Sequence, residues 1–164
     1  MKKTMSIIAI FAVFLVSVAA YSDKAVDASQ GYTAPVFTIG QGENKMSLDQ
    51  MKGKYVLLTF WASSDAKSRI ACQQYSSFAR ENRQENEFCH ISVNFDRSEM
   101  LFNEIVKRDR LQAETQYFAQ GDKASRLMAD YQLENGFSTY LIDPQGRIVA
   151  KNPSTQHLNE ILSN

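Results

Sequence analysis

The stretch LLTFWASSDAKSR, residues 57–69, decides the fold. It begins inside the run YVLLTFW (55–61), which is apolar and rich in β-formers. Such a run, without polar alternation, predicts a central strand covered on both faces. The chain then turns at Ala-Ser-Ser and becomes charged. From 65 to 83 a helix is predicted, because Ala71, Tyr75 and Phe78, with Cys72 and Ala79, recur at i, i+3, i+4 and i+7 spacings. A buried strand that feeds a long helix is the first half of a β-α-β unit.

Downstream, FCHISVNF (88–95) reads as the second buried strand. A helix is expected over 97–111, with Ser98 as N-cap and Glu99 in the first turn. A further helix covers 123–133. STYLID (138–143), the turn DPQG (143–146) and RIVAK (147–151) form a hairpin, and 155–163 closes the chain as a helix. Upstream, 36–39 and 46–48 are short strands around the turn GQGEN, and DQMKGK is a helical turn closed by Gly53. From residue 55 the order is β-α-β-α-α-β-β-α. The class is α/β, with a mixed central sheet and helices on both faces.

The chain has 164 residues, of which 44% are hydrophobic, enough for one globular domain. Eighteen basic residues balance eighteen acidic ones with no basic stripe, so nothing favours nucleic-acid binding. The N-terminus has the three-part layout of a secretory signal: Lys2 and Lys3, an apolar stretch from Ile7 to Val18, and Ala19-Ala20. The apolar stretch is short for a spanning helix, which takes about 20 residues; an uncleaved anchor is the alternative. No cysteine stands near the cleavage region, so a lipid anchor is not expected. The expected organisation is a signal peptide at 1–20, a polar linker at 21–33 and a folded domain at 34–164. Without Lys2 and Lys3 the exported domain carries a net charge near −2.

APVFTI, followed by MSLDQMKGKYVLLTFWAS, resembles the opening of the thioredoxin-like redoxins: envelope thiol-disulfide oxidoreductases of the TlpA and ResA type, and their AhpC/TSA relatives. YQL and STYLIDPQGRIVA resemble the same family's closing segments. The likeness spans roughly 34–164. It implies a thioredoxin fold, a periplasmic or cell-envelope address in a Gram-negative bacterium, and a working site where residue 61 meets the helix at 65. In that family a cysteine at the helix start is held as a thiolate by the helix terminus, and a second, one turn on, resolves the mixed disulfide.

Here the attacking position is Asp65 and the resolving position is Ser68. Asp65 suits a helix start as well as a thiolate does but cannot attack a disulfide. The family's cis-proline place falls on Phe137 or Ser138, and neither favours a cis bond. Its two usual places for an acidic proton acceptor read Thr59 and Ala71. Peroxide reduction needs a cysteine in the helix's first turn, beside a Thr and an Arg. Arg69 is present, but Cys72 lies about two turns in.

Cys72 and Cys89 are the remaining thiols, each expected to be buried and inert. Their heights differ: about 10 Å of helix against about 20 Å of strand. A disulfide, which needs Cα atoms within about 7 Å, is therefore not expected. His90 and His157 lack a second ligand at metal spacing, so no metal is called for, and no cofactor is implied. Asp65, Lys67 and Arg69 form either a solvated helix start or a charged rim. With Trp61, Ser64, Phe137 and Ser138 that end could take an extended peptide. The expected function is an exported binding or structural module without dithiol catalysis, with an envelope protein or peptide as partner and no membrane contact beyond the signal segment. The alternative is a thiol-disulfide oxidoreductase or peroxide reductase using Cys72 or Cys89.

Overall fold

The computed structural model describes residues 28–82 and 87–163. The signal segment, most of the expected linker and the helix end expected at 83 lie outside the described residues. Two short strands, β1 (Thr38–Ile39) and β2 (Met46–Ser47), pair antiparallel. A 3₁₀ turn at Leu48–Met51 then leads to β3 (Tyr55–Trp61). The rest follows as α1 (Ala66–Glu81), β4 (Phe88–Asn94), α2 (Glu99–Arg108), β5 (Gln116–Phe118), α3 (Gly121–Asp130), β6 (Thr139–Ile142), β7 (Ile148–Lys151) and α4 (Thr155–Leu162).

Five strands form one sheet in the order β5-β4-β3-β6-β7. β3, β4 and β5 run parallel; β6 is antiparallel to β3, and β7 is antiparallel to β6. The mixed sheet with helices on both faces is therefore as expected. The strand β5 was not expected. It replaces the predicted α-α passage, and each β-α-β crossover from β3 to β5 now closes through one helix. Its three residues, Gln-Tyr-Phe, are too few to show a period.

The C-terminal ends of two helices also move inward. α2 stops at Arg108 instead of reaching 111, because Arg110 turns left-handed at φ 54 and Leu111 folds into the core. α3 starts at Gly121 and stops at Asp130, since Tyr131 is wholly buried and Gln132 is left-handed at φ 52. Ser98 caps α2 as expected, accepting from the Leu101 N–H at 3.3 Å. The DPQG turn also closes as expected: the Gly146 N–H donates to the Asp143 carbonyl at 2.8 Å.

Because side chains alternate along a strand, β3 divides its residues between two cores. Val56, Leu58 and Phe60 join Ile91, Val93, Tyr131 and Tyr140 beneath α3. Leu57 and Trp61 face α1, α2 and α4. The end of the expected linker belongs to the domain. Gly31 and Tyr32 exchange hydrogen bonds with Ile148 at 2.7 and 2.9 Å, and Thr33 bridges Arg147. This arm covers the free edge of β7.

Candidate functional site

The strand-to-helix corner is closed by its own side chains. Asp65 is the N-cap of α1, and its Oδ1 accepts from the Ser68 N–H at 2.6 Å. The Ser68 hydroxyl donates to the Asp65 carbonyl at 3.1 Å and accepts from the Ala62 N–H at 3.3 Å. Ser68 is buried by this arrangement. The bond from the Ser68 N–H holds the Asp65 carboxyl below its ordinary pKa, with smaller help from the Ser68 hydroxyl and the Lys67 charge. The pair expected at the two redox positions thus meets, and both members are spent on capping.

Beside the corner lies a residue that sequence reasoning passed over. Asp96, buried, accepts from both the Ser63 N–H at 2.8 Å and the Ser63 hydroxyl at 2.9 Å. Its other oxygen accepts from Asn94 Nδ2 at 3.0 Å, and its N–H donates back to Asn94 Oδ1 at 2.8 Å. This ties the loop after β3 to the loop after β4. The Asn-x-Asp spacing in VNFDRS was the available signal, since such side chains bond backbone two residues on.

The expected binding face needs correction at Trp61. That side chain is fully buried, 6.3 Å from the Phe102 ring centroid, and presents no surface. Period-2 alternation turns it under α2 instead of outward. Phe137 is half-buried, with its ring centroid 5.5 Å from that of Phe95. Ser138 is also half-buried, and its carbonyl accepts from the Phe60 N–H at 3.1 Å. Ser64 is exposed and Asp65 half-exposed. The charged rim also loses a member. Arg69 Nε donates to Asp109 Oδ2 at 2.6 Å, and a second guanidinium nitrogen bonds Oδ1, which raises the Arg69 pKa and lowers that of Asp109. The peroxide-type role for Arg69 is closed by the same pairing.

Both cysteines are free. Cys72 is wholly buried on α1, 3.6 Å from the Ser92 hydroxyl, and burial pushes its thiol up to about 11. Cys89 is half-buried in the opposite core, and burial pushes it up to about 11 also. The two stand on opposite faces of the sheet. That, more than a difference in height, keeps them apart. With a pKa near 11, about one thiol in ten thousand is ionised at pH 7.

Beneath the corner, between α1 and the sheet, runs a buried polar layer. His90 Nε2 lies 3.1 Å from the Ser92 hydroxyl and 3.3 Å from that of Thr59, which in turn accepts from Thr139 at 3.3 Å. Cys72 and Gln116 extend the layer at 3.9 Å. Burial pushes His90 down to about 4, so the ring is neutral at pH 7. Thr59, at the family's acidic place, contributes only a hydroxyl here. Ala71, at the other, is a half-buried packing residue. His157 is exposed on α4, 3.5 Å from Glu160. The two histidines are not brought together.

The AhpC/TSA family matches residues 30–151. Among solved structures, a thioredoxin-like protein from Parabacteroides distasonis is 34% identical, covering 84% of this chain and 96% of its own, with TM-score 0.71. The thioredoxin domain of a thiol-disulfide oxidoreductase from Bacteroides vulgatus is 26% identical over 84% and 97%, with TM-score 0.72. A thiol:disulfide interchange protein from Bacteroides sp. is 26% identical over 82% and 88%, with TM-score 0.70. No curated protein matches. The chain has the thioredoxin-like fold and belongs to the AhpC/TSA family.

Proposed function

We propose that this chain is an exported, thioredoxin-like module of the cell envelope that performs no dithiol-disulfide exchange. It binds a protein or peptide partner at the end formed by Ser64, Asp65, Phe137 and Ser138. One observation carries the reading. At the helix start, where a reactive thiol pair would stand, Asp65 and Ser68 form a closed cap. The half-buried Phe137, packed on Phe95, supplies the contact area that Trp61 does not. Export rests on the N-terminal signal layout.

The competing reading is a thiol-disulfide oxidoreductase acting through Cys72 or Cys89. It draws on the similar structures, two of which are thiol-disulfide exchange proteins. Insulin reduction, scrambled-disulfide repair and peroxide consumption separate the two. No turnover above the uncatalysed rate is expected. Turnover abolished by Cys72→Ser or Cys89→Ser would overturn the proposal. The binding half has its own test: Phe137→Ala should release a captured envelope partner that Lys52→Ala, at the far end of the sheet, retains.

A further inference from the structure

The two outer edges of the five-stranded sheet are treated differently. The N-terminal arm covers β7. β5 pairs only with β4, and among the described residues no strand lies on its other side. The Ala119 N–H donates to the Asn94 carbonyl at 2.9 Å, in register with Phe118 opposite Asn94. Parallel ladders alternate, so Tyr117 and Ala119 turn their backbone groups toward β4. The N–H and carbonyl of Phe118 and the carbonyl of Gln116 therefore point away from the sheet. They open into a groove of about 600 Å³ between α2 and α3.

The groove has two unlike walls. On the α2 side stand Glu99, exposed, and the Phe102 ring, stacked on Phe118 with centroids 5.6 Å apart. On the α3 side stand Ile39 and the exposed Lys123. Neither Glu99 nor Lys123 has an ion-pair partner among the described residues. A second copy fits poorly. Two β5 strands paired antiparallel about an axis normal to the sheet keep each face on its own side. Glu99 would then face Glu99 and Lys123 would face Lys123, and like charges disfavour pairing.

We propose that the outer edge of β5 receives an extended peptide segment of another protein as a sixth strand. That segment carries basic and aromatic side chains toward α2, and acidic and apolar ones toward α3. Main-chain bonds to Gln116 and Phe118 supply affinity, and the two charged walls select the sequence, as in strand addition generally. The surface is distinct from the Asp65–Phe137 end, so either proposal can fail without the other.

The probe is an end-capped octapeptide that repeats lysine-valine-phenylalanine-aspartate twice. Two further versions are N-methylated at alternate main-chain nitrogens, one on each set. Binding is followed by amide chemical shifts of the full exported domain. The largest shifts should fall on Phe118 and its neighbours. One methylated set should lose about tenfold or more in affinity and the other stay within about twofold, because a strand offers only one edge. Glu99→Lys should weaken the unmethylated probe several-fold. No binding up to ~1 mM, equal binding of both methylated versions, or shifts centred on Ser64 and Phe137 would each overturn the proposal. So would dimerisation of the peptide-free protein that protects the Phe118 amide, which would assign the edge to a second copy.

Discussion

The sheet's two faces are built on opposite plans. Beneath α3 the layer is apolar and aromatic. Phe60 lies 4.7 Å from the Tyr131 ring centroid and 6.1 Å from that of Tyr140. The buried tyrosine hydroxyls there are satisfied: Tyr131 donates to the Pro35 carbonyl and Tyr140 to the Tyr131 carbonyl, both at 2.7 Å. Beneath α1 the matching layer is Thr59, His90, Ser92, Gln116 and Thr139 around Cys72. There, Trp61 Nε1 and His90 Nδ1 have no hydrogen-bond partner among the described residues. Buried polar atoms without partners carry a desolvation cost of about 1–3 kcal/mol each. The α3 face therefore carries no such cost at its tyrosines, while the other face sets a polar layer between its two apolar clusters. The face under the capped helix start holds polar groups that neither packing nor dithiol chemistry requires.

The comparison breaks most visibly at Phe60. Phe60→Ala empties the centre of the aromatic cluster and should cost about 3–5 kcal/mol. Urea denaturation measures it. A loss below about 1 kcal/mol would mean that the aromatic cluster around Phe60 is not tightly packed.

The next effect, on the polar face, depends on pH. His90 has its pKa lowered to about 4 by burial, and the hydroxyls and thiol around it offer no anion. The unfolded chain therefore binds the extra proton first, from about pH 6.5 downward, and stability falls until the folded pKa is reached. Between pH 7 and 4.5 this amounts to about 2–3 kcal/mol. Asp65 and Asp109, both lowered, add their own losses at still lower pH. Only the difference between wild type and His90→Gln isolates the imidazole. The variant should be less steep across that window, and parallel curves would show that His90 is not the titrating group.

How far these features were legible from sequence depends on what each residue had to show. β3, β4 and α1 are long, and their apolar spacing is unbroken, so periodicity alone places them. β5 is short, and its Gln116 is a polar side chain turned inward, which no hydrophobic pattern reveals. The polar layer has the same difficulty. FCHISVNF reads as a buried strand, but His90 and Ser92 alternating with Cys89, Ile91 and Val93 do not say what covers the polar side. α1 and α2 lie over that face, and sequence spacing could not show it. Trp61 was misplaced for the converse reason: its position at the end of the strand suggested a rim, while its parity assigns it to the α2 side. Asp65 and Ser68 were legible because a cap is local. Three residues and one turn of helix contain all of its geometry.

That local character makes Asp65 the place for the smallest and cleanest test of the polar face. Asp65→Ala removes the oxygen that accepts from the Ser68 N–H and should cost about 1 kcal/mol. Asp65→Asn keeps an acceptor and loses only the charge at the helix start, so about 0.3–1 kcal/mol is expected at low salt and less in high salt. The Ser68 N–H holds the carboxyl below its ordinary pKa, so its folded pKa lies below its unfolded one. The charge contribution is therefore present at neutral pH and lost as pH falls through the folded value. The Asp-to-Asn difference, measured by urea denaturation, should shrink toward zero as pH falls below the ordinary carboxylate range. If instead the Asn variant matches wild type at every pH and salt, the carboxylate is only a hydrogen-bond acceptor. Its placement where a thiolate would stand then owes nothing to the helix field. If the difference exceeds 2 kcal/mol, the charge has a partner beyond the helix terminus, and the Lys67 side chain is the first to substitute.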